Sequence, residues 1–353
     1  MTKRVLVIGG GISGIKAALD LGQMGVETIL LERTDKLGGT FAQLGKTFPY
    51  DTDADDFLNK HIRTLQSLQN VKIYTSAQVK SLTKKNNNFE VIFDFKDEII
   101  HVDAIIVATG FLPFDAARIP NYGYKKFKNV LNALELTQML KTGEILRPSD
   151  QKSPKNITFI QCVGSRDKRT NAYCSTFCCT YAVHLAKIIK NLDKSAKVTI
   201  MFMDMRTFSN YEKLFVEARK EGVIFLRGKP SMVFEDSDTN ELIVQVENTF
   251  TNEFLHYRTD MVVLSIGAEP AMGSEELGKI LDLKIDEKTG YYVNNKNDDV
   301  SALGHERIFI VGNASGPKDT QYSLAQASAA AMKAVTVMRF LDCVQRGSQG
   351  ETH

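Results

Sequence analysis

The sequence predicts an α/β protein built from two related halves, the second inserted into the first. Three observations predict this. Short apolar strands alternate with helical stretches along most of the chain, a glycine-rich turn follows the first strand, and a similar strand, 307-RIFIVG-312, returns after a second α/β pattern has run its course. At 353 residues there is room for two medium domains, each with its own core. The 43% hydrophobic and 24% charged content is ordinary for a soluble globular chain. Lys+Arg 44 against Asp+Glu 42 leaves +2, without the basic excess of a nucleic-acid binder. No apolar run approaches the ~18 residues of a membrane span, so no direct membrane insertion is expected.

The first element is the strand 4-RVLVI-8, followed by an amphipathic stretch to Met24 and a second strand, 27-ETILLE-32. The start resembles a signal peptide, but Lys16 and Asp20 interrupt its apolar centre; it reads as mature structure, and a cytoplasmic location is expected. Residues 56–68 read as a helix, and 71–79, 88–95 and 98–110 as strands of a mixed sheet. The polar patch 148-PSDQKSPKN-156 marks a hinge or boundary. Beyond it come a strand at 157–162, a helix to about 192, a strand at 197–204 and a helix around 209–220. Strands near 223–227, 230–235, 241–248 and 261–266 follow, and a helix of small residues, 321–341, closes the chain.

The turn after the first strand carries Gly9, Gly11 and Gly14. Gly9 permits a tight turn, Gly11 lets the backbone approach a pyrophosphate, and Gly14 allows close helix–strand contact; the helix N-terminus offers unpaired N–H groups to the phosphate. Glu32, at the end of the second strand, suits ribose hydroxyls, so the turn reads as a dinucleotide site on a Rossmann-like domain. Arg33 and a second glycine pair, Gly38-Gly39, follow; farther on, strands end in Ala108-Thr109-Gly110 and in Gly312-Asn313. Together these motifs resemble the two-dinucleotide-domain flavoproteins that include thioredoxin and glutathione reductases. That resemblance implies FAD in an extended pose. Where the family often places an Asp on the ribityl chain, Asn313 stands here and can still donate and accept.

Residues 161–179, QCVGSRDKRTNAYCSTFCC, hold four of the five cysteines. Such clustering is unlike a secreted disulfide framework and points to metal or redox chemistry in a reducing compartment. The dithiols of thioredoxin-reductase relatives are missing: 38–50 contains no cysteine, and Cys174, Cys178 and Cys179 have the wrong spacing. The turn after strand 157–161, where NAD(P)H should dock, has one glycine, Gly164. Four thiols, Cys162, Cys174, Cys178 and Cys179, stand there instead. Thiolate sets suit Zn²⁺ or iron–sulfur clusters, although adjacent cysteines fit a zinc knuckle poorly and the ferredoxin runs are absent. Cys178 and Cys179 should fall in the first turn of the next helix, where the N–H groups stabilise an anionic cluster. Buried, inert cysteines are the plainer alternative, and Cys343 reads as a packing residue.

The run 159-FIQCVGSRDKRTNAYCSTFCCTYAVHLA-186, with 40-TFAQLGKTFP-49, 203-MDMRTF-208 and 314-ASGPKDTQYSLAQASAAA-331, resembles the A-type subunit of heterodisulfide reductase. The resemblance implies one FAD and a 4Fe–4S cluster on Cys162, Cys174, Cys178 and Cys179. It also implies flavin contacts at Gly9, Gly11, Ile12, Ser13, Gly14, Glu32, Arg33, Gly38, Gly39, Thr40, Lys46, Thr47, Phe48 and Val79, with Ala108, Thr109, Gly110, Gly312, Asn313, Ala325 and Gln326 completing the set. Residues 1–150 and 288–353 would form the FAD domain and 151–287 an NAD(P)-like domain carrying the cluster. The expected role is an electron-transfer subunit that works with other subunits of a heterodisulfide-reductase-like complex. Methanogen members are longer and carry further cluster domains; this chain resembles the short form of sulfur oxidisers. A flavin subunit of a quinone-interacting oxidoreductase of sulfate reduction is one alternative, and a self-contained NAD(P)H oxidoreductase is another. Family members pair as homodimers, and the small-residue helix 324–334 would allow it. Where the family carries a lysine near the flavin, this chain has His184, a candidate for tuning the flavin.

Overall fold

The computed structural model describes residues 3–47, 52–85 and 88–349, and the side chains of these up to residue 340. In chain order, β1 (Arg4–Ile8), α1 (Ile12–Gln23) and β2 (Glu27–Leu31) form the expected opening unit. Next come α2 (Ala54–Gln66), β3 (Val71–Tyr74), β4 (Val79–Lys84), β5 (Phe89–Phe93), β6 (Lys96–Val102), β7 (Ala104–Val107) and β8 (Phe111–Pro113). The middle of the chain holds β9 (Val130–Asn132), α3 (Ala133–Lys141), β10 (Asn156–Val163), α4 (Cys178–Leu192), β11 (Lys197–Phe202), α5 (Glu212–Lys220) and β12 (Ile224–Arg227). It continues through β13 (Met232–Glu235), β14 (Leu242–Asn248), β15 (Glu253–Thr259), β16 (Met261–Ile266) and β17 (Ala268–Pro270). The last elements are α6 (Ser274–Leu281), β18 (Asn294–Asn295), β19 (Asp298–Ala302), β20 (Ile308–Ile310) and α7 (Thr320–Gln349).

Two compact units divide these elements: residues 1–42, 55–112 and 270–353 form one, and 43–54 with 113–269 the other. The first unit holds a seven-stranded sheet in the order β18-β19-β20-β7-β1-β2-β3. From β20 to β3 its strands run parallel, with Val5 opposite both Thr28 and Ala104. Strand order reverses between β1 and β7, the switch point at which α/β sheets open a crevice beyond the strand ends. Small residues seat α7 on α1: Ala327, Ala330, Ala331 and Ala334 are fully buried, and the Ser328 hydroxyl donates to Asp20 at 2.7 Å. The small face of this helix is therefore an intrachain surface.

The second unit holds a three-stranded antiparallel sheet, β13-β14-β15, and a five-stranded parallel sheet, β12-β11-β10-β16-β9, with its own switch point between β10 and β16. One face packs Ile157, Phe159 and Val263 under α4; the other packs Ile160, Val163 and Leu264. Because β9 pairs with β16, residues 130–141 belong to this sheet, and the polar patch 148–156 lies within the second unit. Helix α3 starts in a capping box: Asn132 Oδ1 accepts the N–H groups of Leu134 and Glu135, and the Glu135 carboxylate accepts that of Asn132.

Two expected strands are divided. The apolar run 98–110 breaks at Asp103, whose carboxylate accepts the Arg4 N–H at 2.8 Å, so that β6 joins a three-stranded antiparallel sheet and β7 the main one. The run 71–79 is cut where Ser76 takes φ +50°, between β3 and β4.

Candidate flavin and thiol sites

At the carboxyl ends of β1, β7 and β2 the glycine loop forms an open cradle. A side chain at Gly9, whose φ is +108°, would strike the Ala108 carbonyl, and one at Gly14 would strike the Gly9 carbonyl. A Cβ on Gly11 would meet nothing within 4 Å. The loop is thus closed by protein on two sides and open at the position expected to face a pyrophosphate. Gly11 caps α1 with no side-chain hydrogen bond, which leaves the N–H groups of Ile12 and Ser13 at the helix's positive end.

The second glycine pair packs onto this loop. The Gly38 N–H donates to the Gly10 carbonyl at 2.8 Å, and Gly39, at φ +54°, lies against the Gly11 Cα; Thr40 continues into a short 3₁₀ turn. Glu32 is buried at the end of β2. Its carboxylate accepts the Gly10 N–H at 2.6 Å and the N–H and hydroxyl of Thr34, each at 2.8 Å. A carboxylate accepts about four hydrogen bonds, so capacity for a ribose hydroxyl remains. Arg33 is exposed and donates to the Met272 carbonyl, and Val79 buries its side chain in the core.

Beyond β20, Gly312 takes φ +60°, and a side chain there would strike the Ser13 hydroxyl. Its N–H donates to Gln326 Oε1 at 3.0 Å, while Gln326 Nε2 donates to Asp299; Ala325 is exposed. Asn313 folds onto Lys318, donating to its carbonyl at 3.2 Å and accepting its N–H at 2.8 Å. The hydroxyl oxygens of Thr109, beside Gly110, and of Ser323 are buried with no protein hydrogen bond. Open glycine cradle, helix N-terminus and orphaned hydroxyls fit a dinucleotide such as FAD. Of the remaining flavin candidates, Lys46 and Thr47 lie in the 43–54 segment of the second unit, where Lys46 pairs with Asp53 across a β-bridge. Phe48 falls outside the described residues.

The thiols gather at the corresponding end of the second sheet. The register between β10 and β16 slips between Ile160 and Val163, and Cys162 takes φ +60° at this bulge. From there the chain doubles back. The Arg166 N–H donates to the Tyr173 carbonyl at 2.9 Å, the Asp167 N–H to Asn171 at 3.1 Å, and the Ser165 and Ser175 hydroxyls meet at 2.6 Å. This hairpin returns Cys174 toward the strand end despite the long spacing. Cys178 and Cys179 are the first two residues of α4, as the sequence implied, and no side chain caps that helix. All four thiols are free of disulfides; Cys162, Cys178 and Cys179 are buried and Cys174 is half-buried. His184 is buried farther along α4.

Electrostatics ties the four thiols together. Cys178 donates to Cys179; that bond, opposed by burial and helped by the Arg206 N–H, holds Cys179 down to about 7. The same bond and burial keep Cys178 well above the usual thiol range, and burial first of all pushes Cys162 up to about 11. Two arginines stand beside the sulfurs. Arg166 donates to Cys162 Sγ at 3.9 Å and pairs with Asp204, which also accepts from Arg206 Nε at 2.8 Å. The Thr176 N–H donates to Cys174 Sγ at 3.4 Å. Among the described residues no three His, Cys, Asp or Glu side chains converge as they would around a single metal ion. A four-iron cluster makes a different demand, since each of its corners takes one thiolate; four soft donors flanked by two guanidinium groups suit it chemically.

The second turn differs from the first in one further respect. A Cβ on Gly164 would strike the ring of Phe114, which covers the position. Sequence reading missed Phe114, Arg206, Ser323 and Lys318. Of these, Lys318 carried the clearest signal, a lysine set directly behind the last glycine motif and Pro317.

A family model described as pyridine nucleotide-disulphide oxidoreductase matches residues 2–159. Among solved structures, thioredoxin reductase of Lactococcus lactis aligns with a TM-score of 0.64 at 19% identity, covering 95% of this chain and 99% of that one. Thioredoxin reductase of T. acidophilum aligns at 0.61 and 16% identity, covering 96% and 98%. The chain thus has a thioredoxin-reductase-like fold.

Among proteins of that fold the chain is similar in sequence to A-type subunits of heterodisulfide reductase. It is 32% identical to an A-type iron–sulfur subunit of CoB–CoM heterodisulfide reductase from Methanopyrus kandleri, covering 96% of this chain and 65% of the relative. It is 33% identical to the corresponding A-type iron–sulfur subunit of Methanocaldococcus jannaschii, covering 93% and 63%. The chain therefore spans a little under two thirds of the length of these relatives.

Proposed function

We propose that the chain is an FAD- and iron–sulfur-containing electron-transfer subunit of a heterodisulfide-reductase-like complex, with the flavin on the first unit and a 4Fe–4S cluster on the four thiols of the second. One contrast carries the reading. The glycine turn of the first sheet is open at Gly11, whereas that of the second is covered by Phe114 at Gly164 and ringed by cysteines. The position where a pyridine nucleotide would bind has become a thiol site. FAD, when bound, exchanges electrons singly or in pairs, and a cluster exchanges them singly; the protein's part is to position and tune both. Two relatives named as iron–sulfur subunits support the cluster. In this reading Cys162, Cys174, Cys178 and Cys179 hold the cluster, Gly9–Gly14, Glu32, Thr109 and Gly312 line the flavin site, and His184 tunes the flavin.

The reading extends to setting: cytoplasmic sulfur oxidation, partner subunits that carry the sulfur chemistry, and pairing of two copies. Exposed Met332 and Phe340 on α7 suit such pairing. No helix among the described residues is long and apolar enough to cross a membrane. A self-contained NAD(P)H oxidoreductase is the second reading, favoured by the five parallel strands of the second unit, the architecture a nicotinamide coenzyme uses.

Mixing with NADH separates the two. The isolated FAD-loaded protein, under anaerobic conditions, keeps its yellow absorbance over minutes if electrons enter through the thiol site. Bleaching within seconds would establish direct nicotinamide reduction and remove the proposal.

A further inference from the structure

Lys318 lies behind the last glycine motif, and its ammonium is held against the carboxyl end of the first sheet. Nζ donates to the Gly312 carbonyl at 3.2 Å, to the Ser315 hydroxyl at 3.0 Å and to the Gly316 carbonyl at 3.0 Å. Its backbone is fixed as well, through the two bonds to the Asn313 amide. A lysine on a surface normally keeps a mobile, hydrated head; here all three ammonium hydrogens are committed to neutral oxygens of a single turn. Asp299 is the facing acid, and its carboxylate already accepts from Gln326 Nε2 and the Tyr322 hydroxyl. Helix α7 starts two residues later, and the positive end of its dipole adds the same sign. Burial, opposed by Asp299, draws the ammonium down to about 8, so the charge is present below that pH and is lost above it.

We propose that Lys318 is the fixed positive charge of the flavin site, raising the flavin's midpoint potential by favouring its anionic reduced form. The inference rests on the FAD reading above. Two electrons and one proton added to the oxidised flavin leave one negative charge on the ring system. A cation immobilised at the Gly312 turn lowers the free energy of that charged product relative to the neutral oxidised form. Nothing on the sulfur side of the protein is needed for this effect.

Equilibration with a reference dye tests it. The full chain, purified with FAD, is reduced stepwise beside the dye, and the flavin's reduced-to-oxidised ratio is read at fixed dye poise. Lys318→Gln keeps two N–H donors for Gly312 and Ser315 but removes the charge. Its ratio should fall by roughly tenfold or more, equivalent to about 30 mV for a two-electron couple. Lys318→Arg, which keeps the charge, should stay within about threefold of the parent. A merely structural role would lower flavin content or thermal stability in both variants and leave the ratio of the flavin still bound unchanged. A Lys318→Gln protein with FAD in place and a ratio within twofold of the parent overturns the inference. Should that variant emerge without flavin, the arginine variant decides, since a tenfold shift despite the retained charge would overturn it too. A parent that binds no FAD at all would defeat the flavin reading itself, a different failure.

Discussion

If the four thiols hold the proposed cluster, replacing Cys178 by alanine should lower iron and acid-labile sulfide in the anaerobically purified protein to background and leave FAD bound. Cys178 opens α4, is buried, and shares a hydrogen bond with Cys179, so its removal takes one corner from the four-thiol set. Each ligand of a four-iron cluster holds a separate iron, and with three thiols the cluster becomes labile. The structural penalty is small by comparison. Cys→Ala removes one sulfur from a helix start, a loss on the order of 1 kcal/mol, well within the margin of a domain of this size. The glycine loop proposed to hold FAD belongs to the other unit and has no reason to change. Colorimetric iron and sulfide, with flavin absorbance on the same sample, check the result; unchanged iron would show that Cys178 is not a ligand.

The second large effect is expected at the glycine loop, where two neighbouring substitutions should behave in opposite ways. Gly11→Ala leaves the fold intact, because its Cβ meets no protein atom and the backbone φ of −73° suits any residue. It places a methyl group where the pyrophosphate would approach, and FAD affinity should drop by about tenfold or more, at least about 1.4 kcal/mol. Gly14→Ala drives its Cβ into the Gly9 carbonyl. That clash lies between helix and strand backbone, and it should destabilise the first unit by about 3 kcal/mol or more. Urea unfolding and the FAD-to-protein ratio, measured together, separate the two outcomes. Equal loss of stability in both variants would mean that Gly11 is not an open face.

Much of the glycine loop's local structure was legible because its information is local. The glycine spacing, the strand before it, the helix after it and Glu32 all fall within the first 32 residues, and the structure joins them as read. The thiol site was legible only in part. The cysteines announce themselves, and the place of Cys178 and Cys179 at the start of α4 follows from the helical pattern. The return of Cys174 depends on Ser165 meeting Ser175 and on Asn171 reaching the Gly164 carbonyl, contacts that no periodicity encodes.

The divided strands failed for the same reason. Residues 98–110 form an almost continuous apolar run, and the break at Asp103 is made by Arg4, distant in sequence. Helix α3 also has a local signal in the sequence, since Asn132 and Glu135 have the spacing of a capping box. The alanines of α7 fit either a second copy or an intrachain neighbour, and α1 took them.

Everything proposed for electron flow depends on what the four thiols hold. Metal analysis of protein kept free of oxygen, combined with electron paramagnetic resonance after reduction, addresses this most directly. Iron and labile sulfide in equal amounts, zinc at background, and the signal of a reduced cluster are the expected result. Stoichiometric zinc without iron, or four thiols that all react with an alkylating reagent in the protein as isolated, would contradict it.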